Sequence, residues 1–270
     1  MRQTFQIDSN GFSLTLFAGD LISETIRSRG SWESHVTDIL RALLKPGDTV
    51  LDAGANFGFH TLEMASRVGE SGRVIALEPQ RVVFQQLCHH VFVNRFHNTW
   101  CLPLALGDKN REVAIAALSE VSSGNIGATP IGVGAERVSM TSLDSFNIPN
   151  LALMKLDVQG SELLALKGGE QTIQRHRPTI VIEVEESWLN LFKTSSKEVL
   201  EWLFARGYIV YRIENEWPTD CVAVPVEREQ DMVAALQKLA FPTSRIEGPT
   251  VDLTFDGKPF WSTCRSYRVA

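Results

Sequence analysis

The sequence has few cysteines, no long apolar run and no excess of positive charge. Its four cysteines, Cys88, Cys101, Cys221 and Cys264, form no CxxC pair, so their spacing indicates neither a zinc site nor a redox couple. Isolated thiols suit buried, apolar-like side chains in a reducing compartment, and the cytoplasm is the expected location. No stretch approaches the roughly 18 apolar residues of a membrane span. The N-terminus, MRQTFQIDSNGFSLTLF, scatters polar residues where a signal peptide needs a continuous apolar stretch. The 26 Lys and Arg stand against 32 Asp and Glu, a formal net charge of −6. That is the wrong sign for a general nucleic-acid or anionic-membrane surface. Repeats, low-complexity tracts and Pro/Ser-rich linkers are also missing. What remains is an ordinary globular composition in 270 residues, long enough to bury a core without disulfides or metals.

The first stretch alternates apolar and polar residues around Asn10-Gly11, which predicts a hairpin of Thr4–Ile7 with Phe12–Phe17. Helical spacing follows from Trp32 to Leu44 and stops at Pro46-Gly47. The texture then changes to short apolar runs at 49–55, 73–79, 99–107, 151–158 and 179–186. Amphipathic stretches at Gly58–Val68, Phe84–Val93, Gly160–Arg175 and Lys197–Arg206 separate or follow them. Such alternation indicates a parallel sheet covered by helices on both faces. The runs 208–214 and 221–227 lie close together and predict an antiparallel pair at one end. Residues 109–150 break the rhythm and read as an insertion, with strand-like pieces at 113–118 and 137–143. The expected organisation is one domain over 1–270: hairpin and helix at 1–47, core at 48–227, extension at 228–270.

The segment VLDAGANFGFHT, residues 50–61, runs from a strand through a glycine turn into a helix. Small residues at 53–55 would let a ligand approach the backbone, and the helix offers free N–H groups. The spacing of Gly54 and Gly58 does not fit the G-x-G-x-x-G of dinucleotide sites, and no P-loop lysine follows. Asp52 before the turn would repel phosphate and suit an amine. Glu78 ends the next strand, 24 residues after Gly54, where an acid commonly takes a ribose diol. Ribose and an ammonium without phosphate describe S-adenosylmethionine.

These motifs resemble those of class I S-adenosylmethionine-dependent methyltransferases, and within them the FkbM family. The resemblance rests on DAGANFGFHTL (52–62), RVIALEP (73–79), LALGD (104–108), TSLDSF (141–146), LMKLDVQGSELLALKGG (153–169) and RPTIVIEVEE (177–186). It spans roughly 31–215, with Gln159 and His60 as small departures. It implies a Rossmann-like fold: a seven-stranded, mostly parallel sheet with an antiparallel final strand, preceded by the hairpin and helix. It also implies a cofactor site. Asp52, Gly54, Asn56 and Gly58 would line the methionine moiety, with Ala55, Phe57 and Thr61 from the same segment. Glu78 and Pro79 would meet the ribose. Gln80, Leu106, Gly107 and Asp108 would border the adenine. Trp32 and Glu33 would close over the cofactor, or else serve as a buried anchor and a helix-start acid.

Lys155 and Asp157 point to one side of an apolar strand. Buried charges there are costly unless paired or functional, and the carboxyl end of the strand is where open α/β sheets bind ligands. Asp157 is the first choice for the reacting centre, with Lys155 polarising the acceptor oxygen; the alternative is a structural pair of Lys155 with Asp157 or Glu183. Glu183 is a further catalytic candidate, sharing a face with Glu185. Glu162 reads as a helix cap or an acceptor contact, and His60 as a structural residue or a base. No metal site is expected. The expected reaction is methyl transfer to a hydroxyl of a sugar or natural-product scaffold. Rival readings are N-methylation of a peptide side-chain amide, a non-catalytic cofactor-binding module, and a nicotinamide enzyme. The expected partner is a small-molecule or glycan acceptor rather than nucleic acid; oligomeric state has no signature.

Overall fold

A computed structural model describes residues 2–119, 121, 124–213, 220–236, 239, 243–246, 254–255 and 258–259. Cys264 and residue 214 of the predicted 208–214 strand lie outside this set. The hairpin is present: β1 (Thr4–Ser9) pairs with β2 (Phe12–Phe17), with Ser9 opposite Phe12. Asn10 and Gly11 both take positive φ, 52° and 83°, as a two-residue turn matched to strand twist requires. A short helix, α1 (Leu21–Arg29), was not expected from the sequence. Its signals were there: Asp20 caps Ser23 N–H at 3.0 Å, Gly30 closes the end at φ 78°, and Ile22 and Ile26 share one buried stripe. The next helix, α2 (Ser34–Leu43), starts two residues later than Trp32.

The core follows as β3 (Thr49–Ala53), α3 (Phe59–Val68), β4 (Arg73–Leu77), α4 (Arg81–Val93) and β5 (Thr99–Leu102). The predicted run 99–107 is not one strand. Pro103 interrupts it, because proline offers no N–H to a ladder, and β6 (Leu104–Leu106) joins a separate sheet. That small sheet has the order β6, β8 (Glu136–Thr141), β7 (Arg111–Ile115), so the insertion brings its own strands. The chain returns through β9 (Leu151–Leu156), α5 (Glu162–Gly168), α6 (Glu170–His176) and β10 (Thr179–Glu183). The predicted helix Gly160–Arg175 is thus two helices that break at Gly169. Then come α7 (Glu186–Leu189), α8 (Ser196–Phe204), β11 (Tyr208–Ile213), β12 (Asp220–Pro225), α9 (Glu229–Leu236) and β13 (Thr243–Ile246).

The main sheet has eight strands, ordered β13-β11-β12-β10-β9-β3-β4-β5, rather than seven. The eighth, β13, comes from the C-terminal stretch in which the sequence shows no readable pattern. Strands β10, β9, β3, β4 and β5 are parallel; β12 runs against both β10 and β11. Alternation along β3 covers both faces: Leu51 packs with Leu163, Leu166 and Val199, and Val50 with Val36, Met64 and Val68. The hairpin buries Phe12, Leu14 and Leu16 with Ile26, Phe57 and Leu87 in a third cluster. Among the described residues no helix is long and apolar enough to cross a membrane.

Candidate functional site

A crevice with about 1050 Å³ of empty space, its open mouth included, lies at the carboxyl ends of β3, β4, β9 and β10. That is the ligand position of an open α/β sheet. Of the expected residues, Trp32, Glu33, Asp52, Gly54, Ala55, Asn56, Phe57, His60, Glu78, Pro79, Leu106, Lys155, Asp157 and Glu183 border it. Gly58, Thr61, Gln80, Gly107 and Asp108 do not.

One side is the glycine turn. β3 delivers Asp52 fully buried; its Oδ2 accepts from Thr61 Oγ1 at 2.6 Å, and its Oδ1 has no protein partner. Burial pushes this carboxyl up, with Lys155 drawing it back. Gly54 and Ala55 donate their N–H groups to Leu77 C=O at 3.0 and 2.9 Å. Gly54 sits at φ 79°, and a Cβ there would overlap the carbonyl of Asp157. Its missing side chain therefore serves a close approach of two protein segments rather than a path for ligand. Gly58, at φ 98°, does the same for α4: a Cβ would press on Leu87 Cδ1 at 2.7 Å. Glu78 Oε2 accepts from Asn56 N–H at 2.9 Å and Oε1 from Gln80 N–H at 2.7 Å, so this acid ties the two strand-end turns together. Burial raises it to about 7. Gln80 turns away to cap α4 through Val82 and Val83 N–H. Thr61 serves Asp52, and Asp108 lies 3.5 Å from Arg111.

The other side is acidic. Lys155 lies opposite Asp52 across β9 and β3, and its Nζ meets Asp157 Oδ2 at 3.0 Å. Gln159 Nε2 donates to Asp157 Oδ1 at 2.8 Å. Burial alone would lower the Lys155 ammonium, but Asp157, Asp52 and Glu33 outweigh it and hold the proton. Of the two pairs foreseen for Lys155, the structure has the one with Asp157. Glu183 ends β10 opposite Asp220 of β12, buried, with Oε2 lacking a hydrogen-bond partner. Burial, then Asp157 and Asp220, push its carboxyl well above the usual range. Glu33 is strained at φ 40° and raised too, by burial and the carboxyls of Asp220 and Asp157. His60 Nδ1 lies 3.9 Å from Glu33 Oε2, while its Nε2 is buried without a partner. Burial, Lys155 and His35 keep this imidazole neutral. Glu162 accepts from Val158 and Gly160 N–H at 3.0 and 3.2 Å, holding the loop after Asp157, and burial raises it to about 7.

Sequence reasoning missed Trp188, Ile22 and the insertion residues Asn125, Gly127, Ala128, Thr129 and Ile131, all of which border the crevice. A signal for the insertion existed in Asp20, whose Oδ1 accepts from Ile126 N–H at 2.8 Å while Oδ2 caps α1. It also missed the His35–Asp220 pair, 2.6 Å apart.

Residues 52–210 match the methyltransferase FkbM domain. No curated protein gives a significant match. Among solved structures the chain is similar to a methyltransferase FkbM from Methylobacillus flagellatus KT: 18% identity, TM-score 0.49, 68% of this chain and 47% of that one. The chain thus spans about half the length of that relative. It is similar to M. jannaschii TYW2 in complex with AdoMet: 12% identity, TM-score 0.45, 83% of this chain and 85% of that one. It is also similar to cofactor-bound Rv0187 from MTB: 14% identity, TM-score 0.48, 73% of this chain and 83% of that one.

Proposed function

The chain belongs to the FkbM methyltransferase family, and from this premise we propose that it moves a methyl group from S-adenosylmethionine to a hydroxyl oxygen of a sugar or natural-product scaffold. The observation that carries this reading is convergence: Lys155, Asp157 and Glu183, from adjacent strand ends, border the same crevice as the turn from Asp52 to Phe57.

The residues suit the cofactor. Asp52 keeps one buried oxygen without a protein partner, as a carboxylate awaiting an ammonium would. Asp52 and Asn56 are assigned to the methionine part, Glu78 and Pro79 to the ribose, Leu106 with Leu104 and Ala105 to the adenine side. Gly58, Thr61, Gln80, Gly107 and Asp108 then act by shaping the walls and not by touching the ligand. When bound, the cofactor supplies an electrophilic methyl group on a good leaving group. The chain's own work is alignment, exclusion of water and handling of one proton. Asp157, gripped by Lys155 and Gln159, is the carboxylate assigned to take the hydroxyl proton. Lys155, held as an ammonium, steadies the acceptor oxygen. Glu183 is assigned to contact the acceptor from the end of β10. The segment Asn125–Ile131 of the insertion and Trp188 shape the acceptor side.

The test pairs thermal melts with transfer of a labelled methyl group. S-adenosylmethionine should raise the Tm, since a ligand of the folded state alone stabilises by mass action. Asp157→Asn should keep that shift and lose roughly 10²-fold in turnover, the scale of a positioned acid or base. Label recovered on a peptide amide nitrogen would overturn the hydroxyl acceptor. Binding without transfer to any acceptor would make the chain a cofactor-binding module.

A further inference from the structure

The crevice is charged unevenly. Glu33, Asp52, Glu78, Asp157 and Glu183 border it, and among the described residues Lys155 is the one ammonium that does. Glu78 is tied to two backbone N–H groups, and Asp157 to Lys155 and Gln159. That leaves Asp52 Oδ1, Glu183 Oε2 and His60 Nε2 with no hydrogen-bond partner, in side chains that are 0%, 7% and 6% exposed. Gln159 Oε1, also on the lining, is a further buried oxygen without a partner. Buried polar atoms are normally satisfied, so orphans around one cavity point to an occupant. We propose that Asp52, Glu183 and the Glu33–His60 pair select the charge of that occupant: they favour the sulfonium donor over its sulfide product and release a proton to solvent as the donor enters. The inference rests on the cofactor reading above.

The selection is electrostatic. The donor carries a sulfonium and an ammonium against one carboxylate, a net charge of about +1; the product, without the sulfonium, is neutral overall. In a water-poor crevice that one charge is felt by every carboxyl on the wall. The charged and titratable groups lining the site are Glu33 at the start of α2, His60 on α3, Asp52 on β3, Glu78 after β4, Lys155 and Asp157 on and after β9 and Glu183 on β10; behind them, His35 of α2, Glu162 of α5 and Asp220 of β12 act on these through the field. Burial and mutual repulsion push the Glu33 and Glu183 carboxyls well above the usual range, which favours their protonated form without ligand. An incoming cation favours their ionised form, so a carboxyl O–H ionises and the proton goes to water. The neutral product gives no such push. Raising the pH therefore favours the donor over the product.

Titration calorimetry on the full chain decides it. The donor and the product are each titrated in two buffers of different ionisation enthalpy, between about pH 5 and 7, below the range where an α-amino group titrates. The donor should release more protons than the product. The donor-to-product affinity ratio should rise with pH by up to about tenfold per unit for one extra proton. An analogue with a protonated amine in place of the sulfonium should behave like the donor. Glu33→Gln and Glu183→Gln should flatten the rise of the donor-to-product affinity ratio with pH; if either fails to fold, the wild-type ligand pair still decides. Equal proton release by donor and product, with a flat ratio, would overturn the inference while leaving the cofactor reading intact. Heat from neither ligand would overturn both.

Discussion

The two sides of the crevice are equally buried and differently built. On the turn side the protein backbone engages most polar groups, with Asp52 Oδ1 and Gln80 Nε2 the exceptions: Glu78 takes two N–H groups, Gln80 Oε1 caps α4, and Gly54 and Ala55 N–H bond to Leu77. On the side made by α2, α3 and β10, Glu183 and His60 each keep a buried atom without a hydrogen-bond partner, and Glu33 stands in a left-handed conformation. Satisfaction by backbone marks a scaffold; orphaned atoms mark where something else must bind. Burial alone would have ranked the two sides alike.

Gly54→Val attacks the scaffold side and should have the largest effect. Positive φ and overlap with the Asp157 carbonyl should cost more than about 4 kcal/mol, the range of severe backbone and packing faults. A soluble variant with an unchanged urea midpoint would show that the turn has slack, and that Gly54 clears space for ligand after all. Lys155→Met strikes the other side. Removing the ammonium leaves buried Asp52 and half-buried Asp157 uncompensated, with an expected loss of about 3–5 kcal/mol at pH 7. Part of the loss should return at pH 5, where a lone carboxyl can protonate. A loss that is the same at both pH values would argue for a packing role of the Lys155 stem.

Glu78→Gln sharpens the contrast more gently. It keeps an acceptor for one of the two N–H groups and should weaken cofactor binding by about 1–3 kcal/mol. Binding left intact in calorimetry would remove Glu78 from the ribose. The smallest effect is on pH. Glu78 and Glu162, both raised to about 7 by burial, bind protons in the fold that the unfolded chain has lost by then. Stability without ligand should therefore fall by about 1–2 kcal/mol from pH 6.5 to 8. His60 and His90, buried and neutral, act oppositely, but only below about pH 6.5, where the unfolded chain protonates. A urea midpoint that rises across this window would contradict both raised acids.

Legibility along the chain followed the strength of local signals. Asn10-Gly11, the glycine turn and the five parallel runs were readable because turn chemistry and apolar periodicity act over a few residues. The run 99–107 misled because Pro103 sits inside it and moves β6 to another sheet. Helix α1 was overlooked although Asp20 and Gly30 cap it, since its apolar stripe is only Ile22 and Ile26. Strand β13 was unreadable: its pairing with β11 is a long-range event with no local mark.

By itself the sequence determined the α/β class, the turn after β3, the acids at the strand ends and the family, because each is written in spacing within one segment. Tertiary structure alone decided which of those residues share a wall. It brought Glu33 to His60, and His35 to Asp220 across the sheet. It turned Gln80 and Asp108 away from the crevice, and it placed Asn125–Ile131 on its rim. The physical reason is that contact across strands depends on sheet order and register, and register is a property of the packed whole.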